Sequence, residues 1–328
     1  MDLFSPYKNT IANALRSNAI NKSINESALG QRSMLTFSDF QLRKSSLVIS
    51  DDLVKIAIGM KAQQFNNQVI GHHPDFIHLK HTNQTEYHNI VSAFIDIKGS
   101  TNLFRKYDPE TVFIITNTIQ LAAISVCEIF GGFIQRLQGD GLFVYFGGKG
   151  RDKSLANIHS LTALSFFLYF VENDLKNLFE EQGIEKIKAK VGIDFGEDKD
   201  VLWAMAGVAD TSEITTISLH TSLASKMQQY AGSNEIVIGQ NVVDCANVPN
   251  PLINVVESKR YIFQDVEKGL CYTQYKFNWL GFLKKSNYIA TSPFDGTLAI
   301  KPFERPDISH YDSLPLIPIV ADNKPWRC

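Results

Sequence analysis

Apolar runs of strand length alternate with stretches of helical periodicity from residue 90 onward. The run IVSAFIDI at residues 90–97 is short, rich in β-prone residues and soon followed by a glycine, which predicts a buried strand. The next helix is predicted to begin at Asp108, an N-cap residue directly before Pro109, and to end near Phe130. This region therefore predicts a strand followed by a long helix.

A hairpin and a second helical unit follow along the chain. Apolar runs at residues 133–137 and 142–146 flank Gly139, Asp140 and Gly141, which are the residue types of a tight hairpin turn. Further on, the pattern predicts a helix at 153–182, strands at 187–195 and 201–208, a helix at 218–230 and a strand at 235–238. The order β-α-β-β-α-β with additions predicts an α+β fold of the ferredoxin-like kind.

The regions that flank this core carry weaker patterns. Residues 1–45 are rich in Ser, Asn and Gln and are predicted to be loosely structured, whereas apolar positions at helical spacing predict a helix within residues 46–65. The proline-rich tail from Trp279 predicts irregular structure or short strands rather than helices. We therefore divide the chain into an N-terminal helical segment with a linker (1–88), a central domain (89–278) and a C-terminal extension (279–328).

The linker at residues 71–89 is polar and contains His72, His73 and His78. A zinc-type site would need further carboxylate or cysteine ligands at a suitable spacing, and none accompanies these histidines. The histidines are therefore predicted to lie in a solvated loop.

Composition narrows the classes of function. The 328 residues are 44% hydrophobic and 20% charged, which excludes a disordered chain, and the net charge of −2 provides no positive field for nucleic acid or an anionic membrane. Four scattered cysteines and the absence of a secretory signal fit a reducing compartment. The most apolar stretch, residues 161–171, is shorter than the ~20 residues of a membrane helix. We expect a soluble, cytoplasmic protein without a membrane span.

Two carboxylates stand out by their positions. Asp96 lies near the end of the first predicted strand, where burying a charge is costly unless it is paired or binds a metal. Asp140 lies in the turn of the hairpin that a ferredoxin-like sheet places beside that strand. Taken singly, each residue could have a purely structural role: Asp140 as an ordinary turn residue and Asp96 as the cap of a helix or loop. Together, the two hard oxygen ligands predict a site for Mg²⁺ or Mn²⁺.

At this point the sequence resembles the class III nucleotide cyclases, the family of adenylate and guanylate cyclase catalytic domains. The resemblance rests on FIDIKGST at residues 94–101 and RLQGD at 136–140, and it extends over residues 89–277. It implies a ferredoxin-like core, two divalent cations, a nucleoside triphosphate substrate and a homodimer with active sites at its interface. By that resemblance the metal ligands are Asp96, Asp140 and the Ile97 backbone carbonyl, and the phosphate-binding residues are Gly99, Ser100, Thr101 and, by a looser match, Lys268.

Arg136 occupies the position at which adenylate cyclases carry Lys and guanylate cyclases carry Glu to read the base. A guanidinium cannot accept the hydrogens of guanine, so GTP is disfavoured, whereas its planar donors suit the acceptors of uracil or cytosine. Thr215 matches the position of a second base-reading Asp and can donate or accept. We expect UTP rather than CTP, because uracil has two carbonyl acceptors. If Arg136 simply replaces the Lys of adenylate cyclases, the protein would be an adenylate cyclase, and this alternative stays open.

Ser222 and Lys226 replace two further residues of the family motif. Ser222 stands where an Asn orients the ribose, and Lys226 where an Arg meets the charge of the transition state, so a positive charge is kept but bidentate geometry is lost. A catalytically dead nucleotide sensor therefore stays open. With these departures from the family motif, the chain is most similar to the bacterial pyrimidine cyclases of the cyclic-pyrimidine anti-phage defence system. This resemblance implies that a separate effector protein reads a cyclic UMP or cyclic CMP product.

Overall fold

The protein is an α+β structure of fourteen strands and nine α-helices over the described residues, which in this computed structural model are 3–25, 50–66, 68–181, 183–184, 186–256, 263–265, 270–294 and 296–301. The strands are β1 (Thr85–Tyr87), β2 (Ile90–Lys98), β3 (Gly132–Gln138), β4 (Gly141–Phe146), β5 (Lys188–Gly196), β6 (Leu202–Val208), β7 (Thr211–Ile217), β8 (Glu235–Gly239), β9 (Ile253–Val255), β10 (Phe263–Asp265), β11 (Leu270–Tyr272), β12 (Gln274–Phe277), β13 (Ile289–Thr291) and β14 (Leu298–Ile300). The helices are α1 (Ser5–Asn25), α2 (Asp51–Gly59), α3 (Ser100–Leu103), α4 (Pro109–Ile129), α5 (Lys153–Tyr169), α6 (Lys176–Glu181), α7 (Leu219–Tyr230), α8 (Gln240–Ala246) and α9 (Trp279–Lys285). A π-helical turn, Phe170–Leu175, joins α5 to α6.

The central sheet has seven strands in the order β3-β4-β2-β5-β8-β12-β9. Its first four strands are antiparallel to their neighbours, which is the strand order of a ferredoxin-like βαββαβ unit built from β2, α4, β3, β4, α5 and β5. Strand β8 extends the sheet parallel to β5. The predicted fold class is therefore confirmed. Strands β1, β6 and β7 form a separate three-stranded sheet.

The long helices begin where the sequence places their caps. The Asp108 side chain accepts a hydrogen bond from the Thr111 backbone N–H at 3.0 Å, and Pro109 occupies the first turn, where an N–H is not needed. Asp152 caps α5 in the same way through the N–H of Leu155 at 2.8 Å. Both helices bury apolar residues against one face of the central sheet. Capping and burial therefore agree on the positions of these helices.

Strand β2 is buried on both faces. Val91, Ala93 and Ile95 belong to the main core beneath the helices, whereas Phe94 belongs to a second core on the opposite face, where it stacks on Phe143 with ring centroids 4.2 Å apart. Alternate residues of a strand point to opposite faces, so a strand covered on both sides is apolar throughout. This is why β2 appears in the sequence as an unbroken apolar run.

The N-terminal region differs from the expectation of loose structure. Residues 5–25 form helix α1, and Phe4, Tyr7, Ile11 and Leu15 are buried in the main core. The ring of Phe4 stacks on that of Phe170, and the Tyr7 hydroxyl lies 2.8 Å from Ser125 Oγ. These apolar residues recur at helical spacing within a polar sequence, and tertiary burial outweighs the weak propensity of the segment. The rest of that prediction, residues 26–45, lies outside the described residues.

The linker prediction for residues 71–89 is also wrong in part. The segment contains a 3₁₀ turn (Pro74–Leu79) and strand β1, and His73 is fully buried rather than solvated. Burial together with the charge of Arg151 lowers the pKa of His73 to about 3, so its ring is neutral. His73 packs as an aromatic residue beside Phe133 and Trp203. The helix predicted within 46–65 is shorter than expected, at Asp51–Gly59.

Two further differences concern the second half of the chain. Strand β7 was not predicted, although it pairs along its whole length with β6. Helix α9 forms in the tail that was expected to lack helices, because the prolines of the tail begin only at Pro293, after the helix has ended. The paired strands β13 and β14 agree with the short strands expected there. Residues 302–328 lie outside the described residues.

Within the described part of the chain, two helical segments are long and apolar enough to cross a membrane by length and composition, Pro109–Ile129 and Lys153–Glu181. The apolar stretch at residues 161–171 lies within the second of them. The most apolar windows of the two segments are 56% and 83% buried inside the protein. Both segments therefore have the burial of core helices.

Candidate active site

Asp96 and Asp140 lie next to each other at one edge of the ferredoxin-like unit. Asp96 is near the end of β2, and Asp140 lies in the tight turn between β3 and β4. The register that pairs Ile95 with Leu142 places Gly141 beside Asp96. A Cβ atom on Gly141 would lie 2.6 Å from the Ile95 carbonyl oxygen and 3.5 Å from the Asp96 Cα. Only glycine therefore lets the turn come this close to β2.

The two carboxylates interact electrostatically. Burial and, secondarily, the negative charge of Asp140 raise the pKa of Asp96, although Lys190, Gln228 and the Ile97 backbone N–H partly oppose this shift. Oδ2 of Asp140 is buried and has no hydrogen-bond partner among the described residues. Two adjacent acids, one with an unsatisfied buried oxygen, are costly in a protein unless a cation joins them.

The donor set fits a hard divalent cation. Carboxylate and carbonyl oxygens are the ligands that Mg²⁺ and Mn²⁺ prefer, and both ions keep positions for water and substrate phosphate. No group of three or more His, Cys, Asp and Glu side chains that could hold a metal occurs within the described ranges. The protein thus offers two carboxylates here, and the remaining ligands would be backbone, water or substrate oxygens. The roles of Asp96, Asp140 and the Ile97 carbonyl as ligands stay predictions.

The residues predicted to bind phosphate lie directly after Asp96. Gly99 has a φ of +96°, in the left-handed region that favours glycine, and it precedes the short helix α3 that begins at Ser100. The backbone N–H groups of Ser100 and Thr101 belong to the first turn, where a helix supplies no carbonyl partner. The Ser100 hydroxyl lies 3.5 Å from the Ile97 carbonyl oxygen. Asp96, Ile97 and this turn are therefore neighbours.

Arg136 lies on β3, at a register shift in the pairing of β3 with β4, and its guanidinium is bound by Glu213 of β7. Nε donates to Oε2 at 3.1 Å, and Nη2 donates to Oε1, so the ion pair is bidentate. Sequence reasoning missed Glu213 because β7 was not predicted. The signal in the sequence is the spacing of Glu213 and Thr215. Because they are two positions apart, they lie on the same face if the segment forms a strand.

The backbone of Gly71 holds β3 and β7 together beside this ion pair. Its N–H donates to the Gln135 carbonyl at 3.0 Å, and its carbonyl accepts from the Ile214 N–H at 2.7 Å. Gly71 has a φ of +75°, and a Cβ there would lie 3.0 Å from Glu213 Cβ. The residues next to Arg136 and Glu213 are thus fixed by backbone hydrogen bonds, and a larger residue at position 71 would press on Glu213.

Thr215 is half-buried and lies beside a network of hydroxyl groups that begins at its neighbour Thr216. The Thr216 and Tyr145 oxygens lie 2.9 Å apart, and the Thr216 N–H donates to the Tyr145 hydroxyl at 3.2 Å. The network continues from Thr216 to Thr221 and on to Ser92, each step 2.9 Å long. It ties β4, β7, α7 and β2 to one another.

Ser222 and Lys226 are exposed and lie four residues apart on α7, which places them on one face of the helix. The Ser222 hydroxyl donates to the Ser218 carbonyl at 3.1 Å. Helix α7 packs closely on β5 at Gly192, where a Cβ would lie 2.2 Å from the Ala224 carbonyl oxygen. This close packing fixes the helix against the sheet.

The predicted site residues therefore form three groups within the chain. Asp96 and Asp140 adjoin the turn at Gly99, Arg136 and Thr215 lie with Glu213, and Ser222 and Lys226 share a face of α7. No hydrogen bond or ion pair of the described residues joins Arg136 or Lys226 directly to Asp96 or Asp140. Lys268 lies outside the described residues.

The family model for the adenylate and guanylate cyclase catalytic domain matches residues 82–274, which is more than half of the chain. The chain belongs to this family. The match contains Asp96, Asp140, Arg136 and helix α7, and it agrees with the ferredoxin-like unit of the fold.

Relatives that align with much of this chain are named cytidylate cyclases. One, from Staphylococcus aureus, is 39% identical over 238 residues, and one from Escherichia coli is 31% identical over 229 residues. The alignments include 70% and 69% of this chain but only 55% and 48% of those relatives. This chain thus matches about half the length of each relative.

Solved structures of cyclases also align with this fold. The adenylyl cyclase CyaB from P. aeruginosa aligns with a TM-score of 0.49 at 18% identity, over 59% of this chain and 95% of that one. The guanylyl cyclase Cya2 aligns with a TM-score of 0.47 at 16% identity, over 66% of this chain and 98% of that one.

Proposed function

We propose that the protein is a metal-dependent pyrimidine nucleotide cyclase, which converts CTP or UTP to the 3′,5′-cyclic monophosphate and pyrophosphate. The observation that carries the proposal is the position of Asp96 beside the turn of Asp140, where the two carboxylates interact electrostatically and the buried Oδ2 of Asp140 has no hydrogen-bond partner among the described residues. Membership of the cyclase family supports the reaction class.

In this reaction the ribose 3′ oxygen attacks the α-phosphorus, and the bond from that phosphorus to the bridging oxygen of pyrophosphate breaks. Two divalent cations, when bound, would lower the cost of forming the alkoxide and offset the negative charge of the triphosphate. Asp96, Asp140 and the Ile97 carbonyl would hold these cations.

The other residues of the chain would orient and stabilise the substrate. The N–H groups of the turn at Gly99, Ser100 and Thr101 would donate to the terminal phosphates, as Lys268 would through its ammonium. Lys226 would place a positive charge near the pentavalent transition state, and Ser222 would hydrogen-bond the ribose. Positioning and charge stabilisation therefore account for most of the proposed catalysis.

The base is assigned from Arg136 and from the relatives. The guanidinium donates to ring and carbonyl acceptors of a pyrimidine and has no acceptor for guanine. The sequence favoured UTP over CTP, whereas the two relatives named cytidylate cyclases favour CTP. We therefore propose CTP as the preferred substrate and UTP as the alternative.

The proposed enzyme is a homodimer. Arg136 and Lys226 make no hydrogen bond or ion pair with the acid pair among the described residues, and a second copy placed head to tail would bring its own Arg136 and Lys226 to that pair. Each dimer would then have two active sites, each built from both chains.

The resemblance to pyrimidine cyclases of anti-phage defence suggests the biological role. We propose that the cyclic nucleotide is a second messenger, read by a separate effector protein in the cytoplasm of a bacterium. The burial of both long apolar helices supports a soluble protein without a membrane span.

The deciding experiment offers ATP, GTP, CTP and UTP separately to the purified protein with Mn²⁺ and identifies the products by mass spectrometry. The expected result is cyclic CMP, or cyclic UMP, with pyrophosphate, and loss of both in Asp140→Ala. Exclusive cyclic AMP would overturn the base assignment and favour the adenylate cyclase. Nucleotide binding without turnover under any metal would favour a nucleotide sensor.

A further inference from the structure

We infer that Glu213 is the hydrogen-bond acceptor that selects cytosine, and that the Arg136–Glu213 pair, rather than Arg136 alone, reads the base. The inference rests on the proposed function and specifies its substrate as CTP. No motif in the sequence assigns a role to Glu213. Its assignment comes from the bidentate ion pair with Arg136 and from its place on β7.

The pair changes what Arg136 presents to a ligand. A guanidinium has five N–H donors and no acceptor, and two of these donors are engaged by Glu213. The remaining donors stand directly beside a carboxylate, whose oxygens have further lone pairs. The side chains of Arg136 and Glu213 are 43% and 24% exposed, so the pair is fixed by its geometry yet open to a ligand. The ion pair therefore presents a ligand with hydrogen-bond donors of Arg136 next to a hydrogen-bond acceptor of Glu213, instead of donors alone.

Thr215 is less suited to the same task. It lies two residues after Glu213 on the same face of β7, but its hydroxyl can donate as well as accept, whereas the Glu213 carboxylate only accepts and is the group that pairs with Arg136. The acceptor on this face of β7 is therefore Glu213. The backbone hydrogen bonds of Gly71 to Gln135 and Ile214 fix the separation of the two strands, so the acceptor stays beside the donor.

Cytosine matches this arrangement better than uracil. Its N4 amino group donates, and the adjacent N3 and O2 accept, so the carboxylate can receive N4–H while the guanidinium donates to N3 and O2. In the same orientation uracil would set its O4 against the carboxylate and its N3–H against the guanidinium. Sliding the uracil by one position pairs N3–H with Glu213 but leaves O4 without a donor. A site with an unpaired or opposed polar group discriminates strongly.

The test measures kcat/KM for CTP and for UTP with the full chain and Mn²⁺. Glu213→Gln keeps the size of the side chain and adds an N–H₂ donor that suits uracil O4. We expect the CTP-to-UTP ratio to fall by about tenfold or more, because each wrongly matched polar contact costs about that factor. Glu213→Ala, which removes the acceptor, is expected to lower the ratio in the same direction. The matched control is Glu86→Gln, another partly buried glutamate that pairs with Lys149 and His78 away from Arg136, and it should leave the ratio unchanged.

The outcomes separate this inference from the proposed function. Equal losses of kcat/KM for both nucleotides in Glu213→Gln, with an unchanged ratio, would show that Glu213 only positions Arg136 and would overturn the inference while pyrimidine cyclisation stands. A wild-type preference for UTP would also overturn it. A wild-type protein that makes no cyclic pyrimidine would overturn both.

Discussion

The Asp194 carboxylate on β5 is fully buried and lies 3.0 Å from Nδ1 of His220, in the first turn of α7. The Tyr272 hydroxyl donates to the other oxygen of Asp194 at 2.5 Å, and the Phe195 N–H donates to it at 2.9 Å. A buried carboxylate needs such partners, because an unpaired charge is expensive in the interior. The pair therefore fixes the start of the helix that carries Ser222 and Lys226.

This pair predicts a pH-dependent stability. Burial lowers the pKa of His220, but the hydrogen bond and charge of Asp194 outweigh it, so the pKa is raised above its ordinary value. The charged imidazolium of His220 contributes to the free energy of unfolding. This contribution is fully present below the unfolded-state pKa of about 6.5 and is lost as the pH rises through the folded-state pKa. Replacing His220 by Gln should therefore destabilise the protein most at mildly acidic pH, and the deficit should shrink as the pH rises.

The measurement is chemical unfolding of wild type and His220→Gln across pH 6 to 9. At the acid end the expected loss is about 3 kcal/mol, the usual cost of breaking a buried pair. His78→Gln is a matched control, because His78 is a half-exposed histidine that pairs with Glu86 near the surface. A deficit for His220→Gln that stays constant with pH would contradict the assignment of the charged imidazole.

Asp96→Asn is expected to stabilise the metal-free protein and to lower its turnover strongly. Because burial and Asp140 raise the pKa of Asp96, its ionisation opposes folding, and this cost builds up as the pH rises from the unfolded-state pKa and is complete above the folded-state pKa. The neutral amide removes the cost at neutral pH. Loss of a ligand should lower kcat by about 100-fold or more. Thermal unfolding with and without Mn²⁺ measures the effects on stability and on metal binding. Without metal the variant should unfold at a higher temperature than wild type, and Mn²⁺ should raise its unfolding temperature by less.

Asp51→Asn provides the control for this experiment, since Asp51 is an exposed carboxylate in the first turn of α2. It should change stability by no more than about 0.5 kcal/mol and leave the response to Mn²⁺ intact. A metal response in Asp96→Asn equal to that of wild type would show that the cation binds elsewhere.

Gly141→Ala should disrupt the acid pair while leaving both acids in place. Its Cβ would lie 2.6 Å from the Ile95 carbonyl oxygen, so the turn that carries Asp140 must move away from β2. We expect about 1–3 kcal/mol of destabilisation, a weaker response to Mn²⁺ and a large loss of kcat. Gly139→Ala is the matched control in the same turn, because nothing lies within 4 Å of its Cβ.

The Gly139→Ala control carries its own small cost. Gly139 has a φ of +62°, where alanine is strained by roughly 1–2 kcal/mol. Its stability should therefore fall, but its stabilisation by Mn²⁺ should stay close to that of wild type. If both variants lose the metal response equally, the contact of the turn with β2 is not what positions Asp140.

The acid pair and the ferredoxin-like unit were predictable from sequence because their signals are local. The apolar run of β2 follows from its burial on both faces. Gly139, Asp140 and Gly141 are the residue types of a single tight turn. Helix α1 was not predicted, because its core residues, such as Tyr7 and Ile11, are diluted by polar residues and gain stability only by packing on distant helices. Glu213 was not predictable, since its partner Arg136 is 77 residues away in the chain. Contacts of that kind depend on the folded arrangement of strands.

The proposed sharing of active sites between two chains predicts complementation between inactive variants. Asp140→Ala removes a metal ligand, and Lys226→Ala removes the charge on α7, so each homodimer should be inactive. In a mixed dimer one site combines both defects, whereas the other combines the intact acid pair of one chain with the intact Lys226 of its partner. Random exchange makes half of the dimers mixed, each with one working site, so about one quarter of wild-type activity should return.

The two variants are mixed after co-refolding or co-expression, and cyclic nucleotide production is compared with each variant alone at the same total concentration. Light scattering establishes that all three samples are dimers. A mixture of Asp96→Ala with Asp140→Ala is the control, because each chain then carries a damaged acid pair and both sites of every dimer lack a metal ligand. Activity in the Asp140→Ala and Lys226→Ala mixture alone requires that the acids and the lysine of one site come from different chains. No recovery from verified mixed dimers would place Lys226 in the same-chain site as Asp140, or outside the site altogether, and would remove the reason for the head-to-tail arrangement.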